Sequence, residues 1–390
     1  MVTTTRRAST KARVPAFAKV NHSPEALSVT GTIPAELNGC LLRAVDHPAW
    51  GAAPRPGTPL VDGGIRLSGG VARWYRQTTP PCGNSATWRA ARLRSGDPRA
   101  GAHGPASLAR PVTDPVTGVW HTVATYPGLN HAEHLWLGAD GSVRHAEPFP
   151  LDGAPLMQAV AMTERYLVVL DLPVTHRRAA ALLGEGFPYA WDDGRPARIG
   201  LIGRDEERPR WFSVPSCYVF DVVNAYDDRD RVVLDAVRHE RAFDQAGGTP
   251  AARLWRWTVD LRTGTVREGE LDRLPIEQPE VDPRVRGRRH RVVFGIGNSA
   301  AGEATTLVRH DLAGAATQVR ELGPAKRAEQ PVLVPGAAEG TGWLIAVVHD
   351  MAKARSEVLV LDAADLSARP VATVHVPFRL PVSRHTWWRQ

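Results

Sequence analysis

The stretch Trp255-Arg-Trp-Thr-Val-Asp-Leu-Arg-Thr-Gly264 contains the pattern that decides the fold of this 390-residue chain. Its first half alternates aromatic or β-branched residues with other types, which is the period-two pattern of a β-strand. Its second half begins with an aspartate, whose side chain bonds the backbone two residues on, and ends with a glycine, which supplies the positive φ of a chain reversal. The stretch therefore predicts a strand that ends in a hairpin turn.

The same unit recurs along the chain. Equivalent turns are predicted at 114–118, 138–142 and 362–366. The clearest strands are predicted at 166–170, 217–220, 231–236, 255–259, 291–294, 343–349, 357–361 and 371–375. Many short hairpins favour an all-β fold of the β-propeller type, because radial repetition leaves only short, protected sheet edges. Two stacked β-sandwich domains are the alternative, and one short helix is predicted at 176–186, in a lid over one face of the propeller.

Composition narrows the class of protein. The chain has a net charge of +7 and 43% hydrophobic residues, and it contains no run of about 18 apolar residues, so no membrane-spanning helix is predicted. The N-terminus has no secretory pattern, and a cytoplasmic protein is expected. Cys40, Cys82 and Cys217 are too far apart for a disulfide framework or a zinc motif. The nucleotide-binding, nucleophile-elbow and H-E-x-x-H motifs are also absent.

Two local patterns suggest binding sites but have simpler interpretations. The run Arg284, Arg286, Arg288, Arg289 and Arg291 has the charge of a nucleic-acid or anionic-lipid site. No nucleic-acid motif accompanies it, so we interpret the run as a solvated turn and expect no nucleic-acid partner. His131 and His134 have a spacing that suits a metal site on a helix. The flanking turns predict a strand instead, where such a pair faces opposite sides, and we expect surface histidines.

A family resemblance enters at Gly31-Thr-Ile-Pro-Ala-Glu-Leu-Asn-Gly39 and Leu42-Arg43. These residues resemble the opening signature of the carotenoid cleavage oxygenases, the retinal pigment epithelial membrane protein-like family. Further resemblances follow in order at 114–118, 162–166, 224–227 and 277–282. The resemblance implies a single seven-bladed β-propeller over 26–390, preceded by a flexible tail over 1–25.

The chain departs from this family at the positions that hold iron. The family holds Fe(II) with four histidines, and carboxylates orient some of the imidazoles. Arg110, Gln158 and Asp221 stand at three of the ligand positions, and only His385 matches. A guanidinium cannot ligate a metal, and its charge repels a cation. We therefore expect no cofactor; Fe(II) held by a rearranged set of His385, Asp221 and Glu277 is the alternative.

The substitutions are consistent with one another if a side-chain cation replaces the metal. We expect Arg110 to form a buried ion pair with Asp221 at the propeller axis, supported by Gln158 and His385. The resemblance then implies an enzyme for an apolar or polyunsaturated small molecule, which it isomerises, cyclises or dehydrates. Asp221 and His385 would transfer protons, and Arg110 and Gln158 would bind a substrate oxygen.

Further residues are assigned to the same site by the resemblance. Glu277 matches one of the orienting carboxylates, and Gln330 replaces another. Substrate contacts are expected from Trp387, Tyr218 and Gln330. Two other interpretations stay open, namely a catalytically silent ligand-binding propeller and an inert, repaired core. The apolar stretch 180–187 is short, so at most weak peripheral membrane contact is expected.

Overall fold

The computed structural model describes residues 25–45, 61–77, 107–126, 129–138, 142–183, 187–243, 252–298 and 304–390. Almost all secondary structure within them is β, as predicted. Each predicted strand is present and each predicted turn lies between two strands. The unit quoted above forms a hairpin in which Gly264 has a φ of 72°, a conformation that glycine adopts without steric cost.

The strands form six main sheets, which we number in chain order. Sheet 1 contains β1 (Glu25–Gly31), β2 (Gly39–Val45), β3 (Val61–Ser68) and β4 (Val71–Gln77). Sheet 2 contains β5 (Ser107–Leu108), β6 (Val112–Thr113), β7 (Trp120–Thr125), β8 (His131–Leu137) and β9 (Val143–Pro150). Sheet 3 contains β10 (Ala161–Met162), β11 (Tyr166–Asp171), β14 (Ala197–Gly203) and β15 (Arg210–Val214), with a separate hairpin of β12 (Val174–His176) and β13 (Tyr189–Trp191).

The second half of the chain continues the pattern. Sheet 4 contains β16 (Tyr218–Asp228), β17 (Arg231–His239), β18 (Arg253–Asp260) and β19 (Val266–Asp272). Sheet 5 contains β20 (Glu277–Val281), β21 (Val292–Asn298), β22 (Ala304–Asp311) and β23 (Ala316–Glu321), with a 3-10 turn at Pro283–Val285. Sheet 6 contains β24 (Lys326–Ala328), β25 (Val332–Pro335), β26 (Gly342–Asp350), β27 (Arg355–Asp362) and β28 (Ala372–Val376).

The first and last strands of the described residues both belong to sheet 1. The C-terminal strand β29 (Ser383–Arg389) pairs with β2, and Leu42 lies opposite Trp387. The N-terminal strand β1 pairs with β4 through its first residues and with β28 through its last. Sheets 1 and 6 are therefore hydrogen-bonded to each other, and this pairing fixes the first and last strands together.

Buried hydrophobic clusters lie between successive sheets. Five clusters draw residues from two neighbouring sheets: Val123 with Val169, Leu170 with Trp257, Val237 with Val293, Phe294 with Leu344, and Ile345 with Leu67. Sheets 2, 3, 4, 5, 6 and 1 therefore pack side by side in that order. The described residues contain six such sheets, and the predicted number of seven blades stays a prediction because 46–60 and 78–106 lie outside them.

One strand of each sheet contacts a strand of the next sheet, and we call this set of strands the inner ring. Contacts run from β6 to β10, from β10 to β16, from β16 to β20, from β20 to β25 and from β25 to β29. A parallel bridge between Arg110 and Ala159 adds a backbone link between sheets 2 and 3. The predicted site residues lie in or next to these strands.

The predicted helix is shorter than expected. Helix α1 spans Arg178–Leu182, and it begins after position 176 because His176 pairs with Tyr189 in the β12–β13 hairpin; residues 184–186 lie outside the described residues. It has no buried residue, and Leu182 is 80% exposed. No helix in the described part of the chain is long and apolar enough to span a bilayer. The tail over 1–24 and Cys82 lie outside the described residues; Glu25 already belongs to β1, and Cys40 and Cys217 are free thiols.

Each arginine of the basic run faces an acid. Arg288 reaches Glu164 of sheet 3 at 2.8 Å, and Arg289 reaches Asp228 of sheet 4 at 3.1 Å. The remaining pairs are Arg284 with Asp282, Arg286 with Glu280, and Arg291 with Asp311. The run therefore links hairpin turns of neighbouring sheets, and the absence of a nucleic-acid partner stays a prediction.

Candidate functional site

The fold places the predicted site residues on the segments of the inner ring. Arg110 follows β5, Gln158 precedes β10, and Asp221 lies within β16. Glu277 begins β20, Gln330 precedes β25, and His385 lies within β29. These segments belong to successive sheets, and the structure brings Arg110 and Asp221, which are 111 positions apart in the sequence, into direct contact.

Arg110 and Asp221 form the predicted contact. Nη1 of Arg110 lies 2.9 Å from Oδ1 of Asp221. The expected burial of the pair is wrong for the arginine, because its side chain is 43% exposed while that of Asp221 is 9% exposed. Oδ1 of Asp221 makes no aligned hydrogen bond within the described residues. The contact is therefore electrostatic, with the guanidinium open on one side.

Arg110 is fixed through its backbone rather than through the side chain of Gln158. The Arg110 amide donates to the carbonyl oxygen of Gln158 at 2.8 Å. His385 pairs with Ala44 in the sheet, but its side chain lies outside the described residues. The expected roles of Gln158 and His385 therefore stay predictions.

Glu277 is a carboxyl group on the inner ring whose protonation is altered by its surroundings. Burial and the nearby carboxylate of Asp221 raise the pKa of Glu277 to about 7. His239, which is fully enclosed on β17, has Nε2 3.6 Å from Oε1 of Glu277. The pairing of β20 with β21 shifts register by a bulge after Glu277, where Gln278 has a positive φ of 47°. Such irregularities re-aim side chains and are common beside functional sites.

Glu280 is a buried acid that sequence reasoning missed. Burial raises the pKa of Glu280, while Arg286 and Arg110 oppose the rise. Arg286 donates to Oε1 of Glu280 at 2.9 Å. Arg110 therefore lies in the field of carboxyl groups from two strands, β16 and β20. The sequence contained a signal for Glu280, since this acid follows Glu277 by three residues.

Glu329, rather than the predicted Gln330, carries the strongest interactions at the entry to β25. Its Oε1 lies 2.6 Å from Nη2 of Arg43 and 2.7 Å from Nε2 of His349. Burial opposes ionisation, but Arg43 and the hydrogen bond from His349 outweigh it and lower the pKa of Glu329 to about 2. Gln330 donates to the carbonyl oxygen of Pro279 at 3.4 Å. Arg43 was the feature that could have pointed to Glu329, because a buried cation requires an acid partner.

Two of the expected substrate contacts differ in status. Tyr218 has no accessible surface, and its Oη donates to the carbonyl oxygen of Leu156 at 3.0 Å. Its ring packs edge-on against Phe220 and Phe243. Tyr218 therefore belongs to the core rather than to a surface that a substrate contacts, which corrects the expectation. Trp387 is paired in β29, and its expected contact with substrate stays a prediction.

The donor chemistry at the centre does not fit iron held by four imidazoles. Three of the expected ligand positions carry a guanidinium, an amide and a carboxylate, and the guanidinium contacts the carboxylate directly. Within the described residues no three His, Cys, Asp or Glu side chains are arranged to hold a metal ion. Asp221 and Glu277 are oxygen donors of a type that Fe(II) accepts, so the rearranged set that includes His385 stays an alternative.

Comparison with known proteins identifies the family. The model of the retinal pigment epithelial membrane protein family matches residues 86–390. The chain belongs to this family. A carotenoid cleavage oxygenase of Mycobacterium tuberculosis is 29% identical over 339 residues, covering 72% of this chain and 67% of that protein. A carotenoid 9,10(9',10')-cleavage dioxygenase 1 of Phaseolus vulgaris is 28% identical, with coverage of 72% and 57%.

The architecture of this family member agrees with solved structures. The lignostilbene dioxygenase of Pseudomonas brassicacearum matches with a TM-score of 0.77 at 22% identity, over 97% of this chain and 98% of that one. A cobalt-substituted oxygenase of Synechocystis matches with a TM-score of 0.79 at 20% identity, over 94% and 96%. These likenesses confirm the β-propeller fold. The chain spans 57% to 67% of the length of the two curated relatives named above.

Proposed function

We propose that this protein is a carotenoid-oxygenase-like enzyme that acts on an apolar or polyunsaturated small molecule by acid/base chemistry, without iron held by four histidines. The observation that carries the proposal is the contact of Arg110 with Asp221 on the inner ring, beside Glu277. A decayed site would more simply fill with apolar residues. Here two of the substituted positions carry opposite charges that are in contact, Arg110 and Asp221, and Glu277 lies near Asp221.

The two carboxyl groups are suited to different roles. Asp221 lies against a fixed cation and is assigned as the proton acceptor, with His385 as its expected partner. Glu277, with a pKa of about 7, is present in both protonation states near neutral pH and is suited to donate or accept a proton. The exposed side of the Arg110 guanidinium is available to a substrate oxygen on which charge develops. Gln158 is assigned to the same oxygen.

An aromatic cluster supports an apolar substrate. Phe187, which is 46% exposed beside the lid helix, stacks near Phe243 with ring centroids 4.9 Å apart. Phe243 contacts Phe220, whose ring meets His239 edge-on. The cluster therefore extends from the lid surface to the imidazole beside Glu277. The relatives named carotenoid cleavage oxygenases act on polyenes, which agrees with this chemistry.

Isomerisation, cyclisation and dehydration are the proposed reactions, because each needs only proton transfer and a template. Two alternatives stay open. An iron-dependent dioxygenase with a rearranged ligand set would use Asp221, Glu277 and His385. A silent ligand-binding propeller would retain the apolar path without turnover.

The first test is metal content. Protein purified without chelator and supplied with ferrous iron is expected to hold far less than one iron per chain by elemental analysis. The second test is anaerobic incubation with candidate polyenes and aryl-alkenes, followed by mass spectrometry. A product of unchanged or water-depleted mass that is lost in Asp221→Asn, but not in the exposed control Glu240→Gln, supports the proposal. Near-stoichiometric iron with strictly oxygen-dependent cleavage would replace it with the dioxygenase.

A further inference from the structure

A cavity lies between sheets 2 and 3. It has a volume of about 170 Å³ and contains none of the inner-ring residues named above. Sheet 2 contributes polar and aromatic side chains, while Met162, Leu167 and Ile202 of sheet 3 form an apolar floor. An apolar surface facing a few polar groups is the usual composition of a small-molecule site.

Two buried histidines, His121 and His134, line the polar wall, so the surface position expected for His134 is wrong. Nδ1 of His121 lies 2.9 Å from Nε2 of His134, and the ring of His134 stacks on Trp136 with centroids 3.8 Å apart. The three residues are held by neighbouring strands, since His121 lies opposite Trp136 in the β7–β8 pairing. The wall is therefore a preformed set of flat rings.

One nitrogen of this wall lacks a hydrogen-bond partner. His121 is 4% exposed, and its Nε2 makes no hydrogen bond within the described part of the chain. The nearest acid oxygen, Oδ2 of Asp114, is 3.9 Å away and already accepts from Arg204 at 2.6 Å and from Thr117 at 2.7 Å. An enclosed polar atom without a partner carries a desolvation cost that a bound polar group would relieve.

The charge of the cavity is negative. Arg204 is neutralised by its two bonds to Asp114. Burial lowers the pKa of His121 to about 4 and that of His134 to about 3, so both rings are neutral near pH 7. Glu147 and Glu206 also line the cavity, and neither forms an ion pair with a Lys or Arg of the described residues. The remaining charge therefore favours a cation.

We propose that this cavity binds a small organic cation with a single aromatic ring, such as a benzylammonium ion. The size agrees, because a protein cavity of about 150 Å³ accommodates one benzene ring. The ring packs against Trp136, where a cation also gains from the indole face. The ammonium group donates to Nε2 of His121, whose Nδ1–H then donates to His134, and Glu147 and Glu206 supply the opposite charge.

The proposal is tested by calorimetric titration of the full chain with benzylamine, benzyl alcohol and benzoate near neutral pH. Benzylamine is protonated there and is expected to bind about tenfold or more tightly than the isosteric alcohol, while benzoate is excluded. Glu206→Gln is expected to weaken benzylammonium binding severalfold. Glu207→Gln is the matched control, because it removes the adjacent exposed charge outside the cavity and is expected to leave binding unchanged.

His121→Phe provides an independent check on the hydrogen bond. It is expected to abolish binding of the amine, and a thermal melt of the same variant establishes that it is folded. If that variant does not fold, Glu147→Gln serves as the second variant, with the same expectation as Glu206→Gln. No binding of benzylammonium at about 10 mM, where a site of even modest affinity is occupied, would overturn the proposal. Equal binding of the alcohol, or equal effects of Glu206→Gln and Glu207→Gln, would also overturn it.

Discussion

Nη2 of Arg43 lies 2.6 Å from Oε1 of Glu329, although the two residues are 286 positions apart in the sequence. Both side chains are enclosed, with exposures of 0% and 4%. The same arginine donates to the carbonyl oxygen of Pro381 at 2.6 Å, and the same glutamate accepts from the backbone amide of Ser383 at 2.9 Å. The pair therefore joins β2, the entry to β25 and the start of β29, which carries His385.

Glu329→Gln is expected to destabilise the protein by about 3 to 5 kcal/mol, because it leaves the buried charge of Arg43 without its counter-ion. The measurement is urea-induced unfolding at pH 7, with the exposed substitution Glu321→Gln as the control. A loss of stability no larger than that of the control would contradict the role of the Arg43–Glu329 pair in joining β2, β25 and β29.

Glu329 is also expected to make the stability of the protein sensitive to acid. The pKa of Glu329 is lowered in the folded state to about 2, so its stabilising contribution is complete above the ordinary glutamate pKa of 4.5. That contribution is lost as the pH falls from 4.5 towards 2. The stability difference between the native chain and Glu329→Gln should therefore narrow over this window and stay constant above it.

Removing the guanidinium of Arg110 is expected to reduce the free energy of unfolding by less than removing that of Arg43. The reason is that the Arg110 side chain is 43% exposed. Arg110→Ala should destabilise the fold by about 1 to 3 kcal/mol by leaving the enclosed Asp221 beside Glu277 without a positive neighbour. Arg110→Met combined with Asp221→Leu should recover stability without activity. The four members of this double-mutant cycle are compared by urea unfolding and by turnover, and simple additivity of the two single substitutions would show that the contact has no energetic consequence.

The contribution of Glu277 to stability is expected to change with pH in the opposite direction to that of Glu329. Its folded-state pKa is about 7, above the ordinary value of 4.5, so the folded state binds more protons between these values. Stability is therefore expected to fall as the pH rises from 4.5 to 7, by up to about 3 kcal/mol from this group. Glu277→Gln should remove that dependence and be more stable than the native chain at pH 8. Parallel stability–pH profiles for the native chain and the variant would refute the assignment; Glu240→Gln is the control.

Membrane contact is expected to be weak. Few exposed apolar residues lie in or beside helix α1 among the described residues; Leu182 and Leu183 are 80% and 83% exposed, and Phe187 is 46% exposed. Burying side chains of this kind contributes only a few kcal/mol in total. Co-sedimentation with neutral liposomes should therefore be slight and reversible, and Leu182→Ser with Leu183→Ser should remove what there is. Tight sedimentation of the native chain would contradict this expectation.

The local elements of this propeller were predictable because they depend on short-range chemistry. Alternation in Trp255-Arg-Trp-Thr-Val and the Asp260 and Gly264 turn chemistry fix a hairpin whatever lies around it. The family resemblance then supplied the registers that bring Arg110 close to Asp221. The helix was predicted too long, because the Ala/Leu-rich pattern of 176–186 gave no indication that His176 would pair with Tyr189.

By itself, the sequence determined the β-class of the protein and the residue types at its centre, since strand alternation and side-chain identity are properties of the chain alone. Only the tertiary structure decided which charges are enclosed and paired. Three features depend on contacts between different strands. They are the exposure of Arg110, the pairing of Arg43 with Glu329 rather than with Gln330, and the neutral His121–His134 wall. Burial and electrostatic fields are sums over such contacts, and the order of residues along the chain does not contain them.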